Sequence, residues 1–231
     1  MSEAIMPEEG SDHQATASLR LVSQPPDDAA ILAAQRNEHS GQARLAYEVA
    51  LDHLGKLAHI HGLGWHYWDG ARWAPDRGET KRAVLATARR IRADAKKMPN
   101  SSDFEKKLRA ARLKAAEGCE SASKIEGILK IAATLPGIRM LEADADPWSL
   151  NVANGTLDLR TLTLRPHDPA NAFTKVTRAA YDPTATASAW TAFIMQMLPD
   201  PEVRQFFRKL AGLALVGQAL EHIFPVATGT G

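Results

Sequence analysis

The sequence predicts an α+β fold, because its hydrophobic period changes partway along the chain. Between residues 79 and 135 apolar side chains recur at helical spacing, whereas between 149 and 164 they alternate with polar ones. The pairs Asp69-Gly70 and Asn154-Gly155 each fall between short apolar runs, where a β-hairpin turn belongs. The expected order is a basic helical front half, a small antiparallel β unit and a closing helical segment.

Residues 1–42 read as a disordered leader, rich in Ser, Gln, Asp, Glu, Pro and Ala and interrupted by Pro25-Pro26. One short helix over residues 27–36 is compatible with that segment. Order is expected from Ala43, where Leu45, Val49 and Leu54 with Ala46 and Ala50 line one helix face that Gly55 ends. The following run, LAHIHGLGWHYWDGARWAPD, reads as strands, with Trp65 and Tyr67 on one face and His66 and Trp68 on the other. Three helices are expected next. In the first, residues 79–97, Val84, Ala88, Ile91 and Ala95 form the inner stripe and Arg82, Arg89, Arg92 and Lys96 lie away from it. The second opens with a capping box from Ser102 to Glu105 and turns Phe104, Leu108 and Ala111 inward, with Lys106, Lys107, Arg109 and Lys114 outward. The third, residues 121–135, buries Ile125, Ile128, Leu129, Ala132 and Leu135 before Pro136-Gly137 stops it.

In the β unit, Leu150, Val152, Leu157, Leu159, Leu162 and Leu164 alternate with polar residues, and residues 173–176 are a further strand candidate. Helices are expected over 188–198 and 201–216, the latter with Pro201 in its first turn. The chain closes with HIFPVATGTG, an apolar stretch at 223–227 entering a Gly-rich turn.

Composition narrows the function classes. No stretch nears the roughly 18–20 apolar residues of a membrane helix, and the acidic start lacks the layout of a secretion signal. Cys119 is the single cysteine, so a disulfide within the chain and a Cys-x-x-Cys zinc site are both excluded. A cytoplasmic location is expected. The net charge of +1 conceals an asymmetry: residues 72–139 hold seventeen basic and eight acidic side chains, while residues 1–71 hold four and ten. Such a concentration of cations is either a phosphate-neutralising surface or a solvated helix face. On the first reading, Arg89, Arg92, Lys96, Lys106, Lys107 and Arg109 are the DNA contacts.

Other side chains invite chemistry and are better explained without it. His59, His61 and His66 suggest a metal, yet no cysteine lies near and only Asp69 is spaced to help. Asp144, Asp146 and Asp158 suggest a two-metal nuclease, but Asp146 precedes Pro147 and Asp158 falls in the hairpin, where loop chemistry accounts for them. The tryptophans Trp65, Trp68 and Trp73 are candidates for base stacking, although at least two of them should be core. Cys119 should sit at a helix start without a catalytic role.

Gly229, Thr230 and Gly231 are, on their own, either a flexible tail or the first half of a phosphate-binding loop, whose Lys and hydroxyl would follow. The preceding residues select between these. Asp146-Pro147, Leu150, Val152, Asn154-Gly155 and Leu157-Asp158-Leu159 are followed by Leu164 to His167, Thr174-Lys175, Tyr181 to Pro183 and Trp190. This series resembles the domain preceding the motor in poxvirus- and phage-type primase–helicases of helicase superfamily 3. Trp68 to Gly70 with Trp73, and residues 121–132, are similar to weaker elements of that family. The resemblance implies a leader at 1–42, a helicase-preceding α+β domain at 43–185, and the start of a P-loop ATPase domain at 186–231, truncated within the loop. It implies a phage or plasmid replication protein whose front portion binds or positions single-stranded or forked DNA and couples it to a ring-forming motor using ATP and Mg2+. It also implies a homo-oligomer at full length and an associated primase. No catalytic residue of that motor falls within these positions, which leaves a stand-alone DNA-binding or collar module as the alternative.

Overall fold

The computed structural model describes residues 25–117, 119, 121–226 and 228. Gly229, Thr230 and Gly231 lie outside them, as does most of the expected leader. Among the described residues the fold is α+β, with seven α-helices and two small sheets.

The chain is ordered well before residue 43. Helix α1 (Pro25–Arg36) packs on α2 (Gly41–Asp52), and Leu32 of α1 is fully buried in the main core. The leader composition of residues 25–42 is therefore misleading, because one apolar anchor and one paired arginine suffice to hold a short helix against a neighbour. Three strands follow: β1 (Leu57–Ile60), β2 (Gly64–Trp68) and β3 (Trp73–Pro75). They form an antiparallel meander, and β4 (Arg139–Met140) joins the open side of β1 in parallel, giving the order β3-β2-β1-β4. The β2–β3 loop spans four residues, with the Asp69 carboxylate accepting the N–H groups of Ala71 and Arg72.

Between β3 and β4 lie the three expected helices, α3 (Glu79–Lys97), α4 (Asp103–Glu117) and α5 (Ala122–Ala132). Asp76 caps the first, its carboxylate accepting the backbone N–H of Gly78 and Thr80 and the Thr80 hydroxyl. The second has the reciprocal capping box, with Ser102 N–H donating to Glu105 and Glu105 N–H donating to Ser102 Oγ. Val84, Ala88, Ile91 and Ala95 of α3 and Ile125, Ile128, Leu129 and Ala132 of α5 are buried as their spacing requires. Helix α4 is rotated from the expected setting. Phe104 is 75% exposed and Leu108 45%, and Ala111 is exposed as well. Its inner face instead carries Glu105, Arg109, Arg112 and Ala116, since Arg112 reaches a buried carboxylate of α2.

The second sheet is β5 (Ser149–Val152), β6 (Gly155–Asp158) and β7 (Thr163–Arg165), antiparallel in sequence order. The β5–β6 loop is Ala153-Asn154, one residue earlier than Asn154-Gly155, and Gly155 pairs with Val152. Gly155 has φ 153°, and a Cβ there would lie 2.3 Å from the Arg165 carbonyl oxygen, so its smallness admits β7. Leu162 departs from the expected alternation: it is 59% exposed at φ 56° in the β6–β7 turn. Residues 173–176 run beside the sheets without forming a strand, and Phe173 O accepts the Trp73 N–H.

Helices α6 (Ser188–Met197) and α7 (Pro201–Leu213) complete the described elements, with Asp200 accepting the N–H groups of Glu202 and Val203 ahead of Pro201. The strand expected at 223–227 does not form in its described part, where Phe224 is 91% exposed. No strand lies beside it among the described residues to supply a ladder. Among the described residues, no helix is long and apolar enough to cross a membrane.

Replacing Gly155 by Ala should lower stability by about 3 kcal/mol, through the clash with Arg165 and the unfavourable φ. Urea unfolding followed by tryptophan fluorescence reads this directly; an unchanged midpoint would show that β7 is not held where the register puts it.

Candidate nucleic-acid interface

The cations of α3 divide between its two flanks. At about 100° per residue, Arg82, Arg89, Arg92 and Lys96 fall within about 80° of one another and Arg90 lies about 80–160° round the helix from them. Arg82, Arg89 and Lys96 are exposed and Arg92 is half-buried. Together with Leu85 and Ala88, the three arginines line a shallow depression of about 300 Å3. Arg82 is paired with Glu79 one turn back.

Helix α4 does not extend that face as a unit. Lys106 is exposed and bonded to Asp103 at 3.3 Å, and Lys107 is exposed, but Arg109 is half-buried on the inner side. Lys107 and Arg109 are about 160° apart around the helix. Of the six expected DNA contacts, Arg89, Arg92 and Lys96 thus share one surface, whereas Lys106, Lys107 and Arg109 are dispersed.

Part of the basic excess turns inward. Glu48 of α2, 2% exposed, accepts hydrogen bonds from Arg90 of α3 at 2.7 Å and Arg112 of α4 at 3.2 Å, with Arg36 of α1 3.7 Å away. Arg90 also donates to Asp52 at 2.7 Å, and Asp52 accepts the hydroxyl of buried Thr87. Burial alone would raise the Glu48 carboxyl, but the hydrogen bonds of Arg90 and Arg112, with the charge of Arg36, hold it below the ordinary glutamate value. Burial likewise opposes the charge on Arg90, and Asp52 and Glu48 outweigh it, so that guanidinium is held charged more firmly than usual. The clue in the sequence is a glutamate within the apolar run Leu45 to Leu51.

The aromatic and histidine residues resolve similarly. Trp73 is 3% exposed, donates Nε1–H to Pro169 O at 2.9 Å and meets Trp68 edge-on. Trp65 and Trp68 are half-buried against the two core clusters. His66 is buried with Nδ1 3.1 Å from Gly64 O, whereas half-buried His59 meets Trp65 edge-on at 5.3 Å and His61 is exposed. No group of three or more His, Cys, Asp or Glu side chains among the described residues is placed to hold a metal ion. Cys119 is buried.

The polar residues of the β-unit motif make backbone geometry. Asp146 accepts from Trp148 N–H and the Ser149 hydroxyl, and Asp158 accepts from Arg160 and Thr161 N–H. Asn154 exchanges two 2.9 Å bonds with the Tyr181 backbone. Asp144 accepts both the N–H and the hydroxyl of Thr174. Asn151, 5% exposed, donates Nδ2–H to Ala71 O and Lys175 O. Its oxygen therefore faces His167 Nδ1 at 3.0 Å, which makes that ring nitrogen the donor.

The sequence model of the family described as D5 N terminal like matches residues 45–199. The matched span runs from α2 through α6 and includes both sheets. No curated protein matches the chain.

Glu48→Ala should destabilise the fold by about 2–3 kcal/mol, since it removes the carboxylate partner of half-buried Arg36 and Arg112 while Arg90 keeps Asp52. The isosteric Glu48→Gln carries a pH signature. A lowered folded-state pKa stabilises above the ordinary glutamate value, and this contribution is lost as pH falls from there through the depressed value. The gap in unfolding midpoint between wild type and Glu48→Gln should be full at pH 7 and close under acid; a gap independent of pH would remove the ionic account.

Proposed function

The chain belongs to the D5 N terminal like family, a domain found in phage and viral primase–helicase proteins, and on that premise we propose that it binds or positions DNA for a replicative helicase. The observation that carries this reading is the α3 surface, where Arg89 and Lys96 are exposed beside Arg82 and Arg92 after other cations have been taken up by Glu48. Cations so arranged neutralise successive phosphates, displace counterions and bind without regard to sequence. Single-stranded or forked DNA is the proposed partner.

Coupling to an ATP-driven motor is the second part of the proposal. It is supported by the apolar side chains that α6 and α7 leave exposed, among them Trp190, Phe193, Met197 and Phe206. Trp190, Phe193 and Met197 recur at i, i+3 and i+7 on one face of α6, and exposed apolar surface of that kind marks a protein contact. Gly229, Thr230 and Gly231 would begin the motor's phosphate-binding loop, with ATP and Mg2+ held by the motor; a homo-oligomer and a separate primase belong to the same reading. The exposed apolar helices also favour a second reading, an assembly collar that touches only protein.

The test is a salt titration of the chain on fluorescent single-stranded, duplex and forked DNA. Binding should weaken steeply with salt, and the variant Arg89→Ala/Arg92→Ala/Lys96→Ala should lose affinity with a slope in log Kd against log salt smaller by about two. Absence of binding at low salt would reject DNA handling and leave the collar.

A further inference from the structure

A second groove lies apart from the α3 surface, between the first sheet and α5. Its volume is about 860 Å3. The sheet wall is a row across three strands: Trp65 of β2 is the register partner of His59 in β1, and His59 is the register partner of Arg139 in β4. Directly opposed residues project to the same face of a sheet, so an indole, an imidazole and a guanidinium stand side by side. Leu57, two residues earlier on β1, is on that face and buried in the core, so the row begins where helix cover ends.

The helical wall is one stripe of α5 and its continuation. Ser123, Gly127, Lys130 and Thr134 recur at spacings of three and four, and the Gln42 side chain packs where a Cβ on Gly127 would lie. Lys130 and Arg139 are exposed, and neither has an ion pair among the described residues. Glu126 is the acidic lining residue. Lys130 from the helix and Arg139 from the sheet row thus bring two cations without an ion pair among the described residues to a groove whose sheet wall is aromatic.

We propose that this groove binds a short stretch of single-stranded nucleic acid, with a base against the Trp65–His59 wall and flanking phosphates on Lys130 and Arg139. Stacking on aromatic rings combined with cations along the backbone is the chemistry by which strands are held without sequence preference. The volume suits one or two nucleotides, and a paired base in a duplex cannot present its ring face to the wall. The inference deepens the DNA-handling reading and rests on it, but it places single-strand preference at the groove and leaves strand-independent phosphate binding to α3.

The experiment is fluorescence anisotropy with a twelve-residue oligothymidylate and a duplex of equal length, with thymidine monophosphate as competitor. Wild type should favour the single strand about tenfold. Lys130→Glu/Arg139→Glu should erase that preference while leaving duplex binding near wild type; the triple alanine variant of α3 should weaken both ligands together. Glu126→Lys should tighten the oligothymidylate severalfold, a gain that a folding defect cannot produce. Thymidine monophosphate should compete only weakly, because one phosphate engages one cation; competition as strong as the oligomer's would make this a mononucleotide site and overturn the strand proposal. Oligothymidylate affinity unchanged by both the double variant and Glu126→Lys would overturn the groove and leave the α3 reading standing. No binding of either DNA by wild type would overturn both.

Discussion

One buried carboxylate organises the helical half of the molecule. Glu48 is buried on α2, where an unpaired charge would cost several kcal/mol in desolvation. Arg36, Arg90 and Arg112 approach it, each from a different helix. Apolar contacts let helices slide and rotate, whereas a guanidinium–carboxylate bond tolerates little of either. The network therefore sets the rotation of α4, turning Arg112 and Ala116 inward and Phe104 and Leu108 to the surface. It also gives α1 a second attachment beside Leu32, which is why a segment with a leader's composition is helical.

A buried amide plays the corresponding part at the junction of the two sheets. Asn151 bonds to the β2–β3 loop through Ala71 O and to the 173–176 segment through Lys175 O. Trp73 crosses the same junction from the other side, bonding to Pro169 and Phe173. Both are satisfied polar groups in a nearly dry setting, where a missing partner would cost more than the bond itself contributes. The Asp, Asn and His residues that make the motif recognisable thus close turns and join sheets. A motif can identify a family through its architecture alone, with no reacting group among its residues.

What was legible in the sequence followed from short-range physics. Helices α3, α5 and α7 have unambiguous period, caps or proline placement, and the capping box at Ser102 formed as its spacing requires. The α+β order and the meander of the second sheet were legible for the same reason. What was not legible depended on partners remote in sequence. Phe104 and Leu108 have the spacing of an inner stripe, but Glu48, more than fifty residues away, decides which stripe faces in. Residues 223–227 have strand composition, yet composition cannot supply the neighbouring strand. Half of the expected DNA contacts share a surface and half do not, because charge density along a chain says nothing of how helices divide it. The Lys130–Arg139 groove was invisible for the converse reason: parallel pairing of β4 with β1 brings together residues eighty apart.

The same internal pairing explains why the surface is divided as it is. Cations facing Glu48 and Asp52 are engaged by those carboxylates, so they cannot turn outward to meet a ligand without stranding one. Those on the opposite flank of α3 face solvent because Val84, Ala88 and Ile91 occupy the adjoining face. Exposed large apolar residues, by contrast, concentrate beyond residue 190, in α6, α7 and the segment that follows. Phosphates and apolar protein surface make incompatible demands on the same patch, one requiring hydrated charge and the other its exclusion. A chain that separates them along its length keeps hydrated charge apart from exposed apolar surface, which is what the proposed division between a nucleic-acid contact and a protein contact requires.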